Sequence, residues 1–171
     1  MGMLRVCSGI DGALLYTRFG ETNWDEFGAS VAGMGDLDGD GFSDVAVGAP
    51  YWSVTGSSNE GAVYLLRGFD GAVLHTFVGA PGARLGEAVV GLGDSNSNGS
   101  PDLAIGAPHA VGPPANAGAA FIYDGADHTL LQKLHGNSQG DGFGYSLGVA
   151  GDIDGDGTQD LIVGAEFAAL Q

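Results

Sequence analysis

One cysteine stands in 171 residues, and Lys and Arg together number only 5. Cys7 alone permits no internal disulfide, so a cross-linked scaffold is excluded. The scarcity of cations argues against nucleic acid and anionic membrane as partners, because binding phosphate needs clustered Lys and Arg. Long apolar runs are missing as well. The longest stretch without formal charge, 103–123, is interrupted by Pro108, Pro113 and Pro114 and cannot form a spanning helix. The start, Met1-Gly2-Met3-Leu4-Arg5, has no apolar core of the signal-peptide kind, so a soluble chain with no signal peptide and no membrane insertion is expected. His75, His109, His128 and His135 fit no zinc spacing, no P-loop is present, and Ser8 has no nucleophile-elbow context.

What is abundant is glycine, with 33 residues, and acid, with 21 Asp and Glu for a net charge of −16. With only 6 prolines and no G-X-Y period, the glycine does not signal collagen. A hydrophobic fraction of 44 % and a charged fraction of 15 % exclude a disordered chain. The apolar segments are short, rich in Val, Ile, Leu, Tyr and Phe, and punctuated by Gly, Asn, Asp and Pro. That is strand and turn chemistry, and no helical period survives the glycines.

A repeat organises the chain. Asp36-Leu37-Asp38-Gly39-Asp40-Gly41-Phe42-Ser43-Asp44 returns, 58 residues on each time, as Asp94-Ser95-Asn96-Ser97-Asn98-Gly99-Ser100-Pro101-Asp102 and Asp152-Ile153-Asp154-Gly155-Asp156-Gly157-Thr158-Gln159-Asp160. A second block, Gly61–Gly68, returns as Gly118–Gly125 and is matched by Gly2–Gly9, with no copy at the C-terminus. The units are therefore a leading half (1–20), two complete repeats (21–78 and 79–135) and a trailing half (136–171). Strands are expected at 29–35, 44–48, 62–67 and 72–77 and at their equivalents one repeat on. Four antiparallel strands repeated radially make a blade of a β-propeller, with a solenoid as the rival.

In each loop, oxygen-bearing side chains fall at positions 1, 3, 5 and 9, with glycine at 6 for the sharp bend. Calcium takes about 6–8 oxygen ligands, so the expected ligand sets are Asp36, Asp38, Asp40, Phe42 (through its carbonyl) and Asp44; Asp94, Asn96, Asn98, Ser100 and Asp102; and Asp152, Asp154, Asp156, Thr158 and Asp160. Position 12 is apolar in all three (Val47, Ile105, Val163), which excludes an EF-hand. About three calcium ions per chain are expected, the second loop being weakest because Asn96 and Asn98 replace aspartates. The alternative is that these loops are only solvated Asx turns.

Phe27-Gly28 with Gly48-Ala49-Pro50, Leu85-Gly86 with Gly106-Ala107-Pro108, and Phe143-Gly144 with Gly164-Ala165-Glu166 bracket the three loops. In this combination the chain resembles the FG-GAP repeats of integrin α-subunit β-propellers and their bacterial relatives. Leu85 replaces the usual Phe, and Glu166 the usual Pro. The resemblance implies an all-β propeller, calcium between the first two strands of a blade, ligand recognition on the opposite face, and an extracellular or cell-surface parent protein. Three blades cannot close, since propellers close with about 4–8. Pairing the leading half of one chain with the trailing half of another predicts a homodimer with six blades; a piece of a longer six- or seven-bladed chain is the alternative.

Three functions are compatible with this reading: a non-catalytic module binding protein or glycan, a purely architectural element, and an enzyme using the central channel. The first is favoured, because ten of the 21 acids lie in the three loops and leave few for catalysis. The expected ligand face comprises the loops 51–60 and 109–117 with the segments 20–26, 79–84 and 136–142. Trp24, Tyr51 and Trp52 are its aromatic candidates. Cys7 is expected to occupy a core or strand position.

Overall fold

The computed structural model describes residues 2–54, 56 and 58–168. All regular structure there is β. The strands are β1 (Met3–Cys7), β2 (Leu14–Phe19), β3 (Ser30–Gly35), β4 (Asp44–Ala49), β5 (Ala62–Leu66) and β6 (Val73–Val78). They continue as β7 (Val89–Gly93), β8 (Asp102–Ala107), β9 (Ala119–Tyr123), β10 (Leu130–His135), β11 (Phe143–Val149) and β12 (Leu161–Ala165). No helix of the described residues is long and apolar enough to cross a membrane.

Two four-stranded antiparallel sheets, β3-β4-β5-β6 and β7-β8-β9-β10, are flanked by two hairpins, β1-β2 and β11-β12. Each complete sheet has the up-and-down order of a propeller blade. The registers coincide one repeat apart: Val45 faces Leu66 and Ala49 faces Ala62 in the first sheet, while Leu103 faces Tyr123 and Ala107 faces Ala119 in the second.

The sheets stack face to face, and this stacking makes the core. Ala46, Val63, Leu65 and Phe77 of the first sheet meet Leu85, Val89, Leu103 and Ile105 of the second. The other face of β4 and β5, with Val47, Tyr64 and Leu66, packs on Leu4 and Phe27 and against Val6 and Tyr16 of the N-terminal hairpin. Because side chains alternate across a strand, β4 and β5 must be apolar on both faces. Their sequences, DVAVGA and AVYLL, are. Leu85, where Phe stands in the other repeats, is 2 % exposed and fills the same niche.

The first strand of each sheet carries a bulge next to its acidic loop. The register shifts between Gly33 and Gly35 and again between Gly91 and Gly93, with φ of 74° at Gly35 and 68° at Gly93. A bulge of this kind bends the strand end, and a left-handed residue there favours glycine. It aims the following nine residues away from the sheet. The last strand ends as the others do despite Glu166. The amide of Phe167 donates to Asp141 O at 2.9 Å, as Tyr51 N does to Asp25 O and His109 N to Ala83 O, both at 3.3 Å.

Candidate functional site

The three acidic loops connect β3 to β4, β7 to β8 and β11 to β12, the place expected for them. In the first, Asp36 organises the turn. Its Oδ1 accepts the amides of Gly39 (2.8 Å) and Asp40 (3.1 Å), and its Oδ2 that of Gly41 (2.9 Å). Asp38 Oδ1 accepts the Asp40 amide at 3.1 Å, and Asp40 Oδ1 accepts the Phe42 amide at 2.8 Å. Asp36, Asp38 and Asp40 thereby bring one carboxylate oxygen each to within 4.8 Å of one another. Asp44 closes the loop from below. Fully buried, it accepts Leu37 N and Gly68 N, each at 2.8 Å, on its two oxygens.

The third loop repeats this. Asp152 accepts Gly155, Asp156 and Gly157 amides at 2.7, 3.1 and 3.0 Å. Asp154 Oδ1 accepts the Asp156 amide at 3.1 Å, and Asp156 Oδ1 takes both the amide and the hydroxyl of Thr158 at 2.8 and 2.6 Å. Its close carboxylate group consists of Asp152, Asp154 and Asp160. A cluster of anionic oxygens with no nitrogen or sulfur donor suits a hard cation such as calcium, and a carboxylate that accepts backbone amides retains lone pairs for a metal.

The second loop is held differently. Asp94 accepts the amides of Asn98 (3.0 Å) and Gly99 (2.8 Å), Asn98 Oδ1 accepts the Ser100 amide (2.8 Å), and buried Asp102 accepts Ser95 N (2.9 Å) and Gly125 N (3.2 Å). The side-chain amides of Asn96 and Asn98 both donate to Asp124 Oδ2 at 2.6 Å. Asp124 lies beyond β9, and the matching position beyond β5 is Arg67, whose Nε sits 3.4 Å from Asp38 Oδ2. The hairpin beyond each loop thus sends an anion to the asparagine loop and a cation to the aspartate loop. Neither residue was anticipated as part of a loop, although Arg67-Gly68 and Asp124-Gly125 end aligned repeat blocks of opposite sign.

On the opposite face, the inter-strand loops interlock. Gly82 N donates to Ser58 O (2.6 Å), Arg84 N to Asn59 O (3.2 Å) and Gly140 N to Asn116 O (3.0 Å). The Arg84 guanidinium lies 4.6 Å over the Tyr51 ring. Glu87, partly buried beside Arg84, is pushed up in pKa, chiefly by burial and further by Glu26 and Glu166. Of the three aromatic candidates, Trp24 alone stands free, 86 % exposed. Trp52 is half-buried and packs on the cluster around Tyr64 and Leu66. Cys7 lies in a strand, as expected, but is exposed rather than part of the core.

Trp24 also has an unusual backbone. Its φ is 76°, where the equivalent residues are glycines, Gly82 at 79° and Gly140 at 80°. A bulky residue in the left-handed region is a strained choice, of the sort that collects at functional positions. With Thr22, Asn23, Tyr51, Ser53, Gly56 and Asn59 it borders an open cleft of about 200 Å³.

The FG-GAP repeat pattern matches residues 27–66 and 143–169, the two segments that carry Phe-Gly and an all-aspartate loop. The chain carries FG-GAP repeats. Integrin alpha-PS5 of Drosophila melanogaster is 37 % identical over 90 % of this chain, and integrin alpha-4 of Xenopus laevis 35 % identical over 89 %. Integrin alpha-7 of Rattus norvegicus is 37 % identical over 88 %. The chain spans 16 %, 15 % and 14 % of these relatives' lengths. Among solved structures, the Bacillus licheniformis rhamnogalacturonan lyase PL11 superposes with a TM-score of 0.59 at 18 % identity, covering 95 % of this chain and 33 % of that one. At that identity the likeness concerns the fold. The repeat between the matched segments, with Leu85, Asn96 and Asn98, nevertheless builds the same four-stranded sheet.

Proposed function

We propose that this FG-GAP chain is a calcium-stabilised, non-catalytic binding module of an extracellular or cell-surface protein, engaging a protein or glycan through the face opposite the acidic loops. The observation that carries the reading is Trp24. An exposed indole is held in a backbone conformation that its own repeats otherwise give to glycine. Large, rigid aromatics of this kind anchor interfaces, because they bury much area at small entropic cost.

In the first loop calcium would be held by Asp36, Asp38, Asp40, Asp44 and the Phe42 carbonyl, and in the third by Asp152, Asp154, Asp156, Asp160 and the Thr158 carbonyl. In the second, Asp94, Asn96, Asn98, Asp102 and the Ser100 carbonyl would offer fewer charges. The ion would neutralise crowded carboxylates and tie the end of one strand to the start of the next. Its work is structural, leaving the opposite face for recognition.

Binding to arrayed glycans and extracellular proteins, compared between the native chain and Trp24→Gly, tests the reading. The variant relieves the backbone strain, so its melting temperature should hold or rise while binding falls at least tenfold. Binding that is indifferent to Trp24→Gly contradicts the assignment of the face.

A further inference from the structure

Among the sheet edges without a strand partner in the described residues are the outer edge of β12 and the outer edge of β1. Their equivalents are internal. β8 and β5 are buried at every residue, whereas β1 alternates and Ile162 of β12 is 55 % exposed. The β4–β5 and β8–β9 pairings share one register, and transferring it to β12 and β1 sets Leu161 against Cys7, Ile162 against Val6, Val163 against Arg5, Gly164 against Leu4 and Ala165 against Met3.

One glycine with no steric role within the chain fits this register. In the complete sheets, Gly68 and Gly125 cannot carry a side chain, because a Cβ would overlap the carbonyl oxygens of Ser43 and Pro101. Their amides seal the acidic loops by donating to Asp44 and Asp102 at 2.8 and 3.2 Å. The third member of the series is Gly9, exposed, with nothing within 4 Å of where its Cβ would stand. The carbonyl and carboxylate it would meet belong to Gln159 and Asp160, at the other end of the chain. A related difference is found across the sheet stacking. A Cβ on Gly48 or Gly106 would overlap the carbonyl of Gly86 or Gly144, while one on Gly164 meets only Ser146. Ser30 Oγ donates to Gly86 O at 2.7 Å; its counterpart Ser146 is exposed, and the matching carbonyl is that of Gly28.

We propose that two copies of this chain associate by antiparallel pairing of β12 of each with β1 of the other, in the register above. The occupant of each edge is a second copy, because the chain itself carries both complementary edges, and the contact continues the stacking already present between its sheets. Gly9 of one copy then donates to Asp160 of the other and completes the third acidic loop, and Ser146 donates to Gly28 O. Each copy contributes three blade equivalents, so two copies make six blades, within the roughly 4–8 at which propellers close, whereas one or three copies do not. The arrangement has a two-fold axis and pairs both of these edges.

Light scattering on the 171-residue chain in millimolar calcium tests this. The expected mass is twice 17.1 kDa, and a mass of 17.1 kDa overturns the proposal. Gly9→Val places its side chain in open space in the isolated chain, so the β signature in circular dichroism should persist while the mass halves. An unchanged dimer overturns the assigned interface. Leu161→Cys should cross-link to Cys7 of the second copy on mild oxidation, because cross-strand Cα atoms lie at about 4.5–5.5 Å. A dimer that fails to cross-link overturns the register.

Discussion

The amide of Gly68 donates to Asp44 Oδ1 at 2.8 Å, fastening the turn beyond β5 to the last residue of the first acidic loop. Asp44 is fully buried and takes a second amide, from Leu37, on its other oxygen. It therefore has two offices, one in the sheet and one in the loop, which Asp36, Asp38 and Asp40 do not share.

That division separates two kinds of variant. Asp44→Ala strands two half-buried amides, at up to about 1–3 kcal/mol each, and should lower the melting temperature whether or not calcium is present. Asp38→Ala should lower it in calcium and change it little in chelator. Thermal melts of the two variants under both conditions check this; equal behaviour would contradict it.

Arg67 competes for Asp38. A partly exposed ion pair of this kind contributes about 0–1 kcal/mol, so Arg67→Gln should tighten calcium at the first loop by up to roughly fivefold. Calorimetric titration of the variant reads the change directly.

Glu87 carries a raised pKa, caused first by burial. A carboxylate raised above its unfolded value, near 4.5, binds protons more readily in the folded chain, so the stability it contributes is lost as pH rises through the folded pKa. Glu87→Gln should therefore raise the melting temperature at pH 7 and lose that advantage below pH 4.5. A variant less stable than the native chain at pH 7 would show that Glu87 is needed in its charged form.

His75 stacks on His128 with ring centroids 3.9 Å apart, and its pKa is lowered by burial and then by the neighbouring imidazole. For a histidine depressed below its ordinary 6.5 the unfolded chain takes up the proton first, so stability falls as pH drops through 6.5 toward the folded value. His75→Phe should flatten the melting profile across that interval while keeping the contact with Phe77, whose ring lies 4.6 Å from the imidazole.

The repeat made most of the fold legible. Strand positions, the four-strand sheet and the loops between first and second strands all follow from a 58-residue period combined with glycine punctuation. The same alignment placed Asp44 and Asp102 in the loops, but could not reveal that they are buried supports for a neighbouring hairpin. The pairing of Arg67 with Asp38 and of Asp124 with Asn96 was illegible because the partners lie 29 and 28 positions apart, with no local pattern joining them. Trp52 and Trp24 looked alike as loop aromatics. Only packing separates them, since burial depends on which side of the turn meets the Tyr64 cluster.

The measurement that bears most directly on the account is the melting temperature of this chain in millimolar calcium against the same chain in excess chelator. Ligand at about 100 times its dissociation constant stabilises the folded state by about 2.7 kcal/mol per site, so a rise of several degrees in calcium is expected, most of it lost in the Asp36→Ala, Asp152→Ala double variant. A melting temperature that does not change on adding chelator would contradict the assignment of the acidic loops as structural calcium sites.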